Sequence, residues 1–229
     1  MSGTVNISKS KQKKTSRTFS SKTLAKRELI LKNKRQKIMK AALDLFSKQG
    51  IKGTRVEQIA ELAGVSKTNL LYYFKNKEQL YLEVITQLLE VWLTPLQSFS
   101  AEQEAVKAIT QYIKVKLELS RDNPAESKLF CMELLQGAPL ITSVLNTNVQ
   151  SLVKQKAQVI QQWIDQGKLK PIDPYHLIFS IWAITQHYAD FNVQILAVTG
   201  KDLHDPDFFN STLQSITQLI LNGITDTST

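Results

Sequence analysis

Lys67, Thr68, Asn69, Tyr72 and Tyr73 fall within seven consecutive residues that offer only Leu70 and Leu71 to a core. An ammonium, a hydroxyl, a carboxamide and two phenols on one short helix suit base edges and phosphate oxygens. The flanking residues indicate how that helix is held. In TRVEQIAELAGVSKTNLLYYFKNKEQ, from Thr54 to Gln79, Thr54 is placed to cap a first short helix while Glu57 reaches back, the capping-box spacing. Ala60 sits where two helices must cross closely, Gly64 supplies a turn of positive φ, and Ser66 caps the second helix. Val65 and Leu70 face inward. Ala60, Gly64 and Leu70 have the offsets of a helix-turn-helix, whose second helix enters the DNA major groove. A plain helical hairpin also needs small and apolar residues at these points, but the polar and aromatic run that follows favours DNA. Lys67, Thr68 and Asn69, with Ser66 at their helix start, are expected at bases or nearby phosphates. Tyr72, Tyr73 and Lys77 are expected at phosphates, with Thr54 and Arg55 bracing the opposite backbone.

A second set of residues suits a small ligand. Trp182 and Gln186 are four apart and so share a helical face. An indole stacks on a planar heterocycle, and a carboxamide offers both a donor and an acceptor to a lactam edge. Trp92 and Arg121 are expected to close the pocket. The competing reading makes both tryptophans core residues and gives Gln186 a backbone partner. His187 and Asp190, three apart, find no third ligand in register, so no metal site is expected. Cys131, the only cysteine, excludes an internal disulfide, points to a cytoplasmic protein, and sits in the apolar run LFCMELL as a packing residue. No nucleophile arrangement, phosphate loop or metal spacing supports catalysis, so neither enzyme activity nor a cofactor is expected.

The elements that position these residues are helices throughout. Ile38, Ala41, Ala42, Leu45 and Phe46 have the spacing of a helix buried on one face, stopped at Gly50. Asn76 caps a helix to about Ser98, with Leu80, Val84, Leu88 and Trp92 along one side. Others are expected from Glu102 to Ser120, from Asn123-Pro124 to the break at Gly137-Ala138-Pro139, and from Leu140 to Gln166. Asp173-Pro174 and Asp205-Pro206 open two more, the first closed by Gly200, for nine helices and no strand. His176, Leu177, Phe179, Ser180, Ala183 and His187 on one of these, and Phe208, Phe209, Leu213, Ile216, Ile220 and Leu221 on the other, offer faces for a two-fold dimer, which would pair two readers on two half-sites. No apolar run is long enough to span a membrane.

Charge singles out one end. The net charge is +9, yet residues 1–40 carry thirteen Lys or Arg and the single acid Glu28, leaving −3 for the remainder. Residues 1 to about 30 are poor in apolar side chains and expected to be disordered. They lack the apolar core of a targeting peptide and the apolar face of a membrane anchor. A basic arm that contacts DNA through salt-dependent, sequence-poor affinity fits better than a tail serving solubility alone.

The segment GVSKTNLLYYFKNKEQL is similar to the TetR family of one-component regulators. RVEQIAELAGVSKTNLLYYF, SKLFCMELLQGAPL, GKLKPIDPYHLIF and IWAITQHYADFNVQ resemble members of that family that govern pyrimidine use, and they cover helices in both domains. The resemblance implies an all-α fold: a basic arm over 1–31, a three-helix DNA-binding domain over 32–75, and a larger ligand-binding and dimerisation domain over 76–229. It also implies a homodimer on double-stranded DNA with a palindromic operator, joined through a four-helix bundle. The implied effector is uracil or thymine, contacted by Trp92, Trp182 and Gln186. A ligand wedged against Trp92 would shift the helix that begins at Lys77 and lower DNA affinity. The extended basic arm departs from the family pattern.

Overall fold

The computed structural model describes residues 21–225, and every regular element among them is helical. It divides into a unit over residues 1–36 and a unit over 37–229. The described part of the first unit is the start of α1, Ser21–Gly53. The expected disorder up to about residue 30 therefore needs correcting from Ser21 onward, while residues 1–20 of the predicted arm lie outside the described residues. The physical reason is propensity: the chain from Ser21 to Gln49 has no Gly or Pro and is rich in Lys, Arg, Leu, Ala and Gln. At Gly50, with φ 67°, the chain leaves helical geometry as expected.

In the second unit α2 (Val56–Leu62) and α3 (Lys67–Tyr73) form the hairpin, and Gly64 takes φ 65° between them. Next comes α4 (Lys77–Gln97), whose cap Asn76 accepts the Gln79 N–H at 2.8 Å. Then follow α5 (Ala105–Asp122), capped by Glu104, and α6 (Pro124–Leu135), with proline at its first position. The long helix expected over Leu140–Gln166 is instead three pieces: α7 (Thr142–Val144), a π-helical turn (Leu145–Val149) and α8 (Gln150–Asp165). Its start is held in a turn because the Glu133 carboxylate accepts the Leu140 N–H at 2.8 Å. The run TSVLNTNV is also rich in weak helix formers. The helix opened by Asp173-Pro174 breaks at Phe191 into α9 (Pro174–Asp190) and α10 (Asn192–Thr199), and α11 (Pro206–Ile224) follows. The described residues thus hold eleven α-helices rather than nine.

Two apolar cores organise the second unit. One joins the reader to α4 and α6 through Phe46, Ile59, Leu70, Phe74, Ile85, Trp92 and Leu129. The other packs α5, α8, α9 and α11 around Ile109, Trp163, Ile181, Phe209 and Ile216. The α11 face expected for dimerisation in fact largely packs inward: Phe209, Ile216 and Ile220 are buried, while Ser211, Ser215, Leu219 and Asn222 are exposed. On α9 Leu177 is buried, but His176, Phe179, Ser180, Ala183 and His187 form an exposed stripe at helical spacing. Among the described residues no helix is long and apolar enough to cross a membrane.

Candidate nucleic-acid interface and sensor pocket

The reader presents a polar surface on a packed base. Leu70 and Phe74 are fully buried, fixing the orientation of α3, while Ser66, Lys67, Thr68 and Tyr72 are exposed. Tyr72 is 76% exposed, an unusual position for a ring with no external partner. Its ring meets Tyr73 edge-on at 5.4 Å, and the half-buried Tyr73 packs against the core. Ser66 Oγ accepts the Asn69 N–H at 3.1 Å, which caps α3 and leaves the Asn69 carboxamide half-buried on its first turn. Lys67 Nζ lies 2.7 Å from Glu57 Oε1, with both side chains more than half exposed. The Lys67 ammonium beside Glu57 holds that carboxyl below its ordinary range. A phosphate or base contact by Lys67 therefore exchanges one anionic partner for another.

Thr54 departs from its expected role. It is 1% exposed, and its hydroxyl donates to the Gly50 carbonyl at 2.8 Å, so its side chain does not reach a DNA surface. Nor does it cap α2: Arg55 holds that position, and the Arg55 N–H donates to Gln58 Oε1 at 2.9 Å. The Gly50 turn draws Thr54 inward and moves the cap one residue on. Arg55 itself is exposed, and Lys77 Nζ donates to the Thr54 carbonyl at 2.9 Å, tying the start of α4 to the entry of α2.

The predicted ligand contacts do not all meet. Trp182 is half-buried against the second core, and its indole N–H donates to Tyr112 Oη at 2.6 Å. Arg121 is paired with Asp122 at 2.7 Å and lies 5.0 Å over the Phe209 ring. Trp92 belongs to the other core, its indole N–H buried without a hydrogen-bond partner among the described residues. Trp182 and Arg121 are thus engaged elsewhere, for a physical reason: each has a nearer partner, a phenol oxygen and a carboxylate. Gln186 is half-buried on α9, one helical turn before Asp190.

Lys116 on α5 sits beside Trp92 instead. It is 2% exposed, and its Nζ lies 4.0 Å from the centre of the Trp92 ring. Burial pushes its ammonium down to about 7, against the pull of the Asp190 carboxylate. Asp190 accepts a hydrogen bond from the buried Ser127 hydroxyl. Cys131 is half-buried rather than fully buried, and burial followed by the nearby Asp190 raises its thiol, the opposite of a reactive cysteine. On the same side of α4, Tyr81 Oη donates to Glu133 Oε2 at 2.8 Å, and its ring meets Phe46 edge-on at 5.0 Å. Helices α4, α5, α6 and α9 therefore enclose a polar cluster inside an otherwise apolar body. A separate groove of about 120 Å³ beside α4, lined by Leu89, Leu93, Val149 and Leu152 among others, includes none of these residues.

Residues 38–84 match the bacterial regulatory proteins of the tetR family, and residues 85–227 match the YcdC-like protein C-terminal region of TetR regulators. The chain belongs to the TetR family. It is 54% identical over 203 residues to the HTH-type transcriptional regulator RutR of Escherichia coli O157:H7, covering 89% of this chain and 96% of that one. The HTH-type transcriptional repressor NicS of Pseudomonas putida is 43% identical over 210 residues, covering 83% and 92%. A putative fatty acid metabolism regulator of Clostridium perfringens superimposes with a TM-score of 0.65 at 25% identity, covering 83% of this chain and 99% of the other. This TetR-family chain is a DNA-binding transcriptional regulator with a helix-turn-helix reader and a helical C-terminal domain.

Of the cluster residues Lys116, Ser127 and Glu133, none expected from the sequence, Lys116 carries a legible signal. The buried face of α5 runs Ala105, Ile109, Tyr112, Ile113, Lys116, Leu117, Ser120, so a lysine occupies an apolar position of the stripe. A charge where the period demands a hydrocarbon marks a paired or functional group.

Proposed function

We propose that this TetR-family regulator acts in the cytoplasm on pyrimidine metabolism, as a homodimer on a palindromic operator whose affinity falls when uracil or thymine binds. Similarity to RutR over most of both chains supports the pathway. The observation that carries the effector reading is the buried Lys116–Trp92 pair, with Asp190 and Gln186 one turn apart on the facing α9. A lactam ring presents two carbonyl acceptors and two N–H donors around a flat face. Trp92 supplies the stacking face, Lys116 a donor to a carbonyl, and Gln186 both a donor and an acceptor to the ring edge. The Lys116 ammonium lies over the indole, so a stacked ring displaces it and turns it toward the ligand oxygen. Dimerisation uses the exposed α9 stripe of His176, Phe179, Ser180, Ala183 and His187, with Ser211, Ser215 and Leu219 of α11.

At the DNA, Asn69 and Thr68 meet base edges, Lys67 a base or phosphate, and Arg55, Tyr72, Tyr73 and Lys77 phosphates. Helix α4 carries Trp92 near one end and Lys77 at the other, so ligand-driven movement of Trp92 alters the bracing of the reader. Titrating the purified protein with uracil tests the reading, followed by tryptophan fluorescence and release of an operator fragment selected from random sequence. Saturable quenching with DNA release, absent for uridine, is the expected result. Full DNA binding without response to uracil or thymine would remove the pyrimidine assignment.

A further inference from the structure

The start of α1 carries a charge pattern that neither the base-reading surface nor the sensor uses. Residues 25–36 hold Lys26, Arg27, Lys32, Lys34 and Arg35 against the single acid Glu28, and every residue of that stretch is exposed. The matched family region begins only at residue 38, so these charges precede it. The pairs Lys26-Arg27 and Lys34-Arg35 repeat after eight residues, a rise of about 12 Å and a rotation of about 80° on a helix, so the cations spread around it.

We infer that the helical segment 25–36 binds the phosphate backbone of duplex DNA as a second contact, separate from the bases met by α3. A helical element carrying five cations and one acid fits a polyanion with closely spaced charges. It fits an anionic membrane surface poorly. The exposed apolar residues Leu29, Ile30 and Leu31 are consecutive, so they point about 100° apart around the helix rather than forming one insertable face. The contact carries no sequence information and adds equally to operator and random DNA.

The test is a full-length variant, K26Q/R27Q/K32Q/K34Q/R35Q, beside wild type and a charge-keeping K26R/K32R/K34R control. Affinity for the selected operator and for a random-sequence duplex of 40 base pairs is measured from 50 to 200 mM salt. Circular dichroism and the operator-to-random ratio verify that the variant keeps its fold and its reader. Two phosphate contacts from each protomer of a dimer make the salt slope about 3–4 shallower, at about 0.9 per contact. Wild type then loses about 100-fold more affinity than the glutamine variant across that range, on both duplexes, and the control behaves as wild type. An unchanged slope overturns the inference, as does a loss confined to the operator. Unchanged DNA binding with lost binding to phosphatidylserine vesicles would reassign the segment to membranes.

Discussion

Replacing Lys116 by Met tests the interior reading most directly, because the lysine's burial sets both sign and size. Its ordinary pKa of 10.5 falls to about 7 in the folded chain, chiefly through desolvation and against the opposing charge of Asp190. At 1.36 kcal/mol per unit, that difference amounts to about 5 kcal/mol of instability stored at Lys116. Losing the ammonium over Trp92 removes about 1–2 kcal/mol of cation–π attraction, so the net gain for Lys116→Met is about 3 kcal/mol. A group whose folded pKa is depressed below its unfolded value leaves more protons on the unfolded chain between the two pKa values. Stability attributable to Lys116 therefore rises with pH from about 7 to 10.5, and the full penalty is present below about 7. The advantage of Lys116→Met should accordingly be largest at pH 6, where it appears as a rise in melting temperature of about 6–12 °C, and fade toward pH 10. Melts of both proteins at equal concentration between pH 6 and 10 provide the assay. Loss of stability at pH 6, or a gain independent of pH, would show that the ammonium is paired and solvated and would refute the reasoning. The same variant should lose uracil-driven DNA release while keeping operator affinity.

Three substitutions test the reader. Asn69→Ala should weaken operator binding by about 1–3 kcal/mol with little change on random DNA; equal losses on both would remove Asn69 from the base-reading set. Lys77→Ala should weaken all duplexes alike and flatten the salt slope by about 1 per contact, and unchanged random-DNA affinity would contradict a phosphate role. Gly64→Ala meets no atom within 4 Å at the new Cβ, so its cost is the backbone strain of φ 65° alone, about 1–2 kcal/mol. A thermal melt unchanged by that substitution would show that the turn does not depend on glycine.

The reader was legible because its signals are local. Ser66, Gly64 and Asn76 each act within four residues of their own position, so the sequence order displays them directly. Thr54 falls one step short of the expected cap: its hydroxyl is taken by the Gly50 carbonyl, and Arg55 caps α2. The break at Leu140 depends on the Glu133 carboxylate seven residues back, beyond the reach of a single helical turn. Of the four residues expected at a ligand, Trp182 and Arg121 are engaged by Tyr112 and Asp122, partners that the helical spacing alone does not display. Asp122 adjoins Arg121 in sequence, whereas Tyr112 lies 70 residues from Trp182.

The proposed site would give a small ring leverage on DNA through the energetics of Lys116 and Trp92. A desolvated ammonium over the Trp92 ring and an indole N–H buried without a hydrogen-bond partner among the described residues are both unfavourable to maintain. An unpaired buried donor costs about 1–3 kcal/mol, and a lactam that satisfies Lys116 recovers part of the lysine penalty as well. That recovery is of the size of ordinary allosteric couplings, about 1–3 kcal/mol, equivalent to a change in DNA affinity of about 5- to 150-fold. It reaches DNA only if opening the site and bracing the reader compete for one element. In the proposed mechanism helix α4 is that element: it carries Trp92, its Tyr81 contacts Phe46 of α1 and Glu133 of α6, and its Lys77 holds the entry of α2. Fifteen residues, a rise of about 22 Å, separate Lys77 from Trp92 on an uninterrupted stretch of helix. Because coupling is reciprocal, operator DNA must weaken effector binding by the same factor by which the effector weakens DNA, and a ligand that stacks on Trp92 without moving α4 would bind but leave the operator occupied.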